Sequence, residues 1–101
     1  MSANTPQEQI SRKRVVFTTS GVDAVVVRRD VGYRIAGERQ LGIDFYYPPD
    51  MTSGVPAPAV IFVTGFPDAG AEKLLGCRMK DMGSYVSWAQ LIAASGMVAI
   101  T

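Results

Sequence analysis

The chain has no histidine and only one cysteine, Cys77, among its 101 residues. Histidine is the commonest general base and metal ligand, so its absence removes the usual centre of catalytic and metal sites. One cysteine excludes an intrachain disulfide and a cysteine-rich zinc site. Without a histidine to activate it, Cys77 is interpreted as a loop thiol rather than a nucleophile. We therefore expect no metal ion, no cofactor and no catalytic side chain within these residues.

A strong net charge and a long apolar run are also missing. The formal net charge is +1, which does not favour nucleic acid or a membrane surface as a partner. No stretch approaches the roughly 18 apolar residues that span a bilayer, and no signal-peptide core follows the basic residues at 12–14. We expect a cytoplasmic protein with a polar, flexible tail over residues 1–20. The basic cluster is interpreted as part of that tail, and residues 21–101 as one domain.

The first clear pattern in the chain is one of alternating polar and apolar residues. Over residues 24–36 the odd positions hold apolar residues, with Arg29 as the one break among them, and the pattern returns over 41–47. The five apolar residues at those positions are Val25, Val27, Val31, Tyr33 and Ile35. A period of two predicts strands with one wet face. On the second strand the apolar side consists of Leu41, Ile43, Phe45 and Tyr47. The short polar link at 37–40 predicts an antiparallel hairpin.

The second half of the chain has a different pattern. Residues 58–64 are mostly apolar on both faces, which is typical of a parallel strand covered by helices. Residues 65–80 are irregular, and residues 97–101 form another apolar run. With a helix between them, these strands predict a βαβ unit. The fold class is therefore α/β, and because a central strand needs neighbours and cover, we expect an incomplete, truncated sheet.

The helix between those strands is predicted over residues 84–95. Its apolar stripe, with members three or four apart, is Met82, Tyr85, Val86, Ala89, Ile92 and Ala93. Ser84 is the predicted N-cap, and Gly96 the left-handed residue beyond the end of the helix. Tyr85 and Trp88 are expected to pack against the sheet rather than bind a ligand.

The loop that follows strand 58–64 is the place where ligands bind in open α/β sheets. The first interpretation of this loop is phosphate binding. It fits poorly, because the loop contains no G-x-x-x-x-G-K-[ST] motif and Lys73 has the wrong spacing. A second interpretation is an oxyanion hole built from backbone N–H groups, and a third is that Gly65 and Gly70 merely let the chain turn. The acidic residues of this region match no calcium loop and are interpreted as solvated charges: Asp68, Glu72 and Asp81.

Taken in order, these elements resemble the N-terminal half of an α/β-hydrolase of the dienelactone-hydrolase-like or esterase-like kind. The hairpin ends in a Tyr-Tyr-Pro corner at 46–48, and a proline-bearing loop precedes a strand that turns at Gly65. The helix from Tyr85 to Gly96 then leads into the last strand. The resemblance covers about residues 24–101, and it places the last strand between strand 58–64 and the hairpin.

The resemblance implies hydrolysis of a small-molecule ester, lactone or amide by a serine mechanism. The N–H of Phe66 would donate to the oxyanion, in a loop that also contains Thr64, Gly65, Pro67 and Asp68. Thr64 stands where the family usually has histidine, and Pro67 has no N–H to donate. The G-x-S-x-G elbow is absent, so the nucleophile and the histidine are expected outside these residues.

Two further expectations concern the chain as a whole. The alternative to a hydrolase is a non-catalytic α/β binding module or a degenerate hydrolase relative, and Thr64 is the residue that favours it. The 101-residue chain itself is expected to be inactive. It is also expected to self-associate, because the apolar strand at 58–64 would have an unpaired edge.

Overall fold

The computed structural model describes residues 10–51, 54–64 and 68–101. This part of the chain contains strands β1 (Val26–Ala36), β2 (Arg39–Tyr47), β3 (Ala59–Ile61) and β4 (Val98–Ile100). It also contains helices α1 (Asp68–Leu75) and α2 (Gly83–Ala94), with short 3₁₀ turns at Val22–Ala24 and Met79–Asp81.

The four strands form one mixed sheet in the order β1-β2-β4-β3. The pairs β1/β2 and β2/β4 are antiparallel, and β3/β4 is parallel. The general α/β class, the hairpin, the parallel pair and the central place of β4 are therefore confirmed. The predicted strand 58–64 is too long, since β3 covers only Ala59–Ile61. Its ladder ends where the N–H of Phe62 donates to the carbonyl of Ile100 at 2.8 Å.

Strand β1 is bent by a bulge around Asp30. Arg28 lies opposite Phe45, but Val31 lies opposite Ile43, so β1 has one residue more than β2 over this interval. Asp30 takes up the difference with φ 55°, a left-handed conformation that aspartate tolerates better than most residues. A second irregularity follows between Gly32 and Arg34, so the register of β1 against β2 shifts twice along the hairpin.

The buried face of the sheet is the one that the sequence pattern assigned to solvent. On β2 the buried side chains are Asp44 and Tyr46, whereas the expected apolar side is half-buried. That prediction is wrong because α2 packs on the even-numbered face. Its alanines allow a close approach of helix and sheet, and the core cluster is Tyr46, Ala89, Ala93 and Ala99.

Helix α2 differs from its prediction at the start and agrees with it at the end. It begins at Gly83 rather than after Ser84, and Met82 occupies the N-cap without a side-chain cap. At the other end Gly96 has φ 98°. The N–H of Gly96 donates to Ala93 and that of Met97 to Ile92, the bond pair of a Schellman cap. The predicted left-handed residue is therefore confirmed.

The two aromatic side chains of α2 lie on different sides of the helix. Tyr85 packs toward the sheet, with its ring centroid 6.0 Å from that of Phe62. Trp88 is 51% exposed, so the expectation that it packs against the sheet is wrong. Trp88 lies one residue from Ser87 and Ala89, which both face inward. At 100° per residue, that neighbouring position turns toward solvent.

The region 65–80 is more regular than predicted. Helix α1 covers Asp68–Leu75, and a 3₁₀ turn covers Met79–Asp81. Alanine, glutamate, lysine and leucine are strong helix formers and make up most of α1. The prediction of an irregular segment missed this helix because Gly70 and the neighbouring loop residues weaken the local pattern.

Residues 10–15, within the expected tail, run along α2. The N–H of Val15 donates to Ser87 Oγ at 2.9 Å, and Arg14 Nη2 donates to Gln90 Oε1. A Cβ placed on Gly83 would lie 2.7 Å from the carbonyl oxygens of Arg12 and Lys13. Glycine is thus required at position 83 for this close approach. The domain boundary after residue 20 stays a prediction.

Candidate functional site

A cleft of about 420 Å³ lies at the carboxyl ends of β3 and β4. One wall is the apolar face of the sheet, and the other is the 3₁₀ turn with its basic side chains. The lining residues that matter for chemistry are Thr64, Arg78, Lys80 and Thr101. The apolar lining includes Ile43, Ile61, Phe62, Val63, Met79 and Ile100. This is the edge of the sheet at which the sequence placed a binding site.

The predicted oxyanion loop lies only partly within the described residues. Thr64 is half-buried and lines the cleft. Gly65, Phe66 and Pro67 lie outside the described residues, and Asp68 is the first residue of α1. The assignment of the Phe66 N–H as oxyanion donor therefore stays a prediction.

Behind the cleft lies a buried carboxylate, Asp44. Its Oδ1 accepts from Lys80 Nζ at 2.6 Å and from the N–H of Asp30 at 2.8 Å. Its Oδ2 is buried, accepts no hydrogen bond from the described residues and lies 3.5 Å from Arg29 Nε. The Asp44 backbone exchanges hydrogen bonds of 2.9 and 3.0 Å with Thr101. Asp44 is thus hydrogen-bonded to the bulge of β1, to the 3₁₀ turn and to the end of β4.

Four more ion pairs surround Asp44. Lys80 Nζ also contacts Asp30 Oδ1 at 2.8 Å, and Arg78 Nη1 contacts the same oxygen at 3.1 Å. Asp81 accepts from Arg78 Nε at 2.9 Å and from Arg29 Nη2. Three carboxylates and three cations balance one another. We call this set the ion cluster; its members are Arg29, Asp30, Asp44, Arg78, Lys80 and Asp81.

The cluster perturbs the ionisation of its members and their neighbours. Hydrogen bonds from Lys80 and then Arg78 lower the pKa of Asp30 below its usual value. The hydrogen bond to Asp81 raises the pKa of Arg78. Burial, with the nearby charge of Asp44, raises the pKa of Tyr46. Each shift favours the charge state already present in the folded chain.

The chemistry of the cluster is that of structural ion pairs. Both cations that line the cleft, Arg78 and Lys80, are already neutralised by aspartates. The Lys80 ammonium is held by two carboxylates, and the guanidinium of an arginine does not lose its proton in proteins. Among the residues that the structure describes, the cleft thus has one apolar wall and one polar wall whose positive charges are neutralised by aspartates.

The described residues contain no group of three or more His, Cys, Asp or Glu placed to hold a metal ion. Asp81 belongs to the ion cluster, so its interpretation as a solvated loop charge is wrong. Glu72 is exposed on α1, and Cys77 is half-buried just after that helix. Cys77 is a free thiol, as the sequence predicted.

The sequence reasoning did not find the ion cluster. Its pairs join residues far apart in the chain, such as Asp44 and Lys80, and no local spacing connects them. One signal was present: Asp44 interrupts an apolar strand, and two cations and one carboxylate, Arg78, Lys80 and Asp81, fall within four residues. A buried acid needs compensating charge, and a compact charged turn can supply it.

A second cavity, of about 260 Å³, lies near the amino ends of β3 and β4. It is lined by prolines and small residues, including Pro48, Pro56, Pro58 and Gly96. The one charged residue of its lining is Asp50. This cavity is at the opposite end of the strands from the edge where ligands bind in open α/β sheets.

No protein-family model, curated protein or solved structure matches this chain. Membership of the α/β-hydrolases therefore stays an expectation from the sequence. In the ranges that the structure describes, no helix has both the length and the apolar character needed to cross a membrane.

Proposed function

We propose that this chain is the N-terminal portion of a serine-type α/β-hydrolase that acts on an ester, lactone or amide. The observation that supports the proposal most is the strand order β1-β2-β4-β3, with a cleft at the carboxyl ends of its parallel pair. In open α/β sheets that edge holds the ligand. The proposal includes a cytoplasmic location, a small-molecule substrate and no nucleic-acid or membrane partner.

In this proposal the segment after β3 supplies the oxyanion hole. The N–H of Phe66 donates to the oxyanion as the tetrahedral intermediate forms, and Thr64, Gly65, Pro67 and Asp68 shape the loop. A serine outside these residues attacks the carbonyl, and a histidine also outside them carries the proton. The apolar wall of the cleft, with Ile61 and Val63, accepts the hydrocarbon part of the substrate.

Active-site labelling tests the proposal directly. We expect a fluorophosphonate probe to leave the purified 101-residue chain unlabelled, and a p-nitrophenyl ester to be hydrolysed no faster than in buffer. The complete translation product of the reading frame should carry the label on one serine of a G-x-S-x-G motif. Labelling of the 101-residue chain would contradict the proposal.

The oxyanion assignment is tested by a pair of substitutions in that complete product. Phe66→Pro deletes the N–H, and we expect turnover to fall by about 10²–10³-fold. Phe66→Ala keeps the N–H and serves as the matched control, with turnover close to that of the parent. Equal turnover in the two variants would show that the oxyanion is held elsewhere.

The second candidate function is a non-catalytic binding module or a degenerate hydrolase relative. It is favoured by Thr64, which lines the cleft where the family usually has histidine. It is also favoured by the internal neutralisation of Arg78 and Lys80. A complete translation product that takes no label and hydrolyses no ester would support this function over the hydrolase.

A further inference from the structure

Strand β3 lies at one edge of the described sheet, with β4 on one side only. The N–H of Val98 donates to the carbonyl of Pro58, and the N–H of Phe62 donates to the carbonyl of Ile100, each at 2.8 Å. The backbone N–H and C=O groups of the even-numbered residues in this segment therefore point toward β4. Because backbone direction alternates along a strand, the N–H and C=O groups of Ala59 and Ile61 point to the free edge.

The two edges of the sheet differ in their protection against further pairing. Strand β1, at the other edge, has two register irregularities and several charged residues, including Arg28 and Arg34. Bulges and charges of this kind are the usual devices that keep an edge strand from pairing. Residues 59–63 have no charge, no proline and no bulge. Ile61 and Val63 are 65% and 85% exposed.

We propose that two copies of this chain pair through β3 in an antiparallel, two-fold arrangement centred on Ile61. In that register Ile61 lies opposite Ile61 of the second copy, and Ala59 lies opposite Val63. The segment is complementary to itself, because it is uncharged and places a small residue opposite a larger one. The outward N–H and C=O groups of one copy then bond those of the other.

The same geometry limits the assembly to two copies. A two-fold contact uses the same surface on both partners and therefore closes. The resulting eight-stranded sheet has β1 of each copy at its two ends, where the bulges and arginines discourage further pairing. Pairing through β3 thus predicts a dimer rather than an open-ended fibre. This inference does not depend on the proposed hydrolase function.

Analytical ultracentrifugation of the 101-residue chain over a range of micromolar concentrations tests the proposal. We expect a reversible monomer–dimer equilibrium. Ile61→Lys should weaken the dimer by about tenfold or more, because two lysines would face each other at the two-fold axis. Val16→Lys is the matched control, since Val16 is 97% exposed and lies outside the sheet. It should dimerise like the parent chain.

Cross-linking provides a second measurement that does not depend on destabilising the chain. In a Cys77→Ser background, Ile61→Cys should give a covalent dimer with a short bis-maleimide, and Val16→Cys should not. A monomer at every concentration, oligomers that grow without limit, or equal association of the Ile61→Lys and Val16→Lys variants would each overturn the proposal. Occupation of the edge by another protein instead of a second copy would appear as a monomer in the purified chain.

Discussion

The side chain of Asp44, a residue of β2, is fully buried. Its charge is balanced by Arg29 of β1 and by Lys80 of the 3₁₀ turn. Lys80, its nearest cation, is itself only 11% exposed. Taking such charges out of water costs several kcal/mol per ion, and the pairing offsets that cost only while both partners are present. Removing one partner therefore has a larger effect than the net contribution of the pair suggests.

We predict that Asp44→Asn lowers the free energy of unfolding by about 3–5 kcal/mol, the usual cost of leaving one buried partner uncompensated. Asparagine has nearly the same shape, so the loss reports charge rather than volume. Urea denaturation followed by circular dichroism measures it. Asp23→Asn, at an exposed position, is the control and should stay within ~0.5 kcal/mol of the parent chain. A loss below about 1 kcal/mol for Asp44→Asn would contradict the structural role of the ion cluster.

Asp30 predicts a pH dependence whose sign follows from its lowered pKa. Lys80 and Arg78 stabilise the charged carboxylate in the folded chain, so the unfolded chain binds the proton more readily. The stabilisation is complete well above the ordinary pKa of 3.8 and is lost as the pH falls below it. Asp30→Asn, which still tolerates the left-handed backbone, should show a smaller loss of stability between neutral and acidic pH. Identical pH profiles for the two chains would refute this assignment.

At the scale of elements, helix α2 is fixed to the N-terminal segment by a close backbone contact. The contact is possible because residue 83 has no side chain, and the carbonyls of residues 12 and 13 occupy the space of a Cβ. The hydroxyl of Ser87 then accepts from Val15 and donates to the carbonyl of Gly83. The helix start, the serine and the N-terminal segment therefore form one unit.

We predict that Gly83→Ala destabilises the chain by about 1–3 kcal/mol, the usual cost of overpacking. The new methyl group must displace the backbone at residues 12 and 13. Gly70→Ala is the matched control: it also replaces a helical glycine, but with no atom within 4 Å of the added Cβ. The control should be neutral or stabilising, by up to about 1 kcal/mol. Equal unfolding midpoints for the two variants would show that the contact contributes nothing.

At the scale of the whole molecule, the sequence pattern predicted the strands and the resemblance to α/β-hydrolases implied their order, but neither predicted the face that α2 covers. Alternation identified both strands of the hairpin, and the apolar run at 59–63 identified the parallel strand. The covered face was missed because a period of two distinguishes the sides of a strand without telling which side is packed. Tyr46 and Asp44 look like surface residues until the ion cluster and α2 are in place.

The candidate site could also be predicted only in part. Its position at the carboxyl end of β3 follows from the topology and could be inferred from the chain alone. The ion cluster behind it could not, because its contacts join Asp30, Asp44 and Lys80 across three separate segments. Helix α1 was missed for a local reason, namely that eight residues with a glycine give a weak helical pattern.

The place of β4 in the sheet has a consequence for the order in which the chain folds as it is made. Strand β4 is central in space, yet it is the last of the described strands to leave the ribosome. The β1/β2 hairpin is local and can form within microseconds of its emergence. Strand β3 must wait for β4, and at ~5–20 residues per second the delay is on the order of seconds. During synthesis the apolar strand Ala59–Ile61 therefore has neither of its edges paired, which makes this interval the natural point for a chaperone to bind.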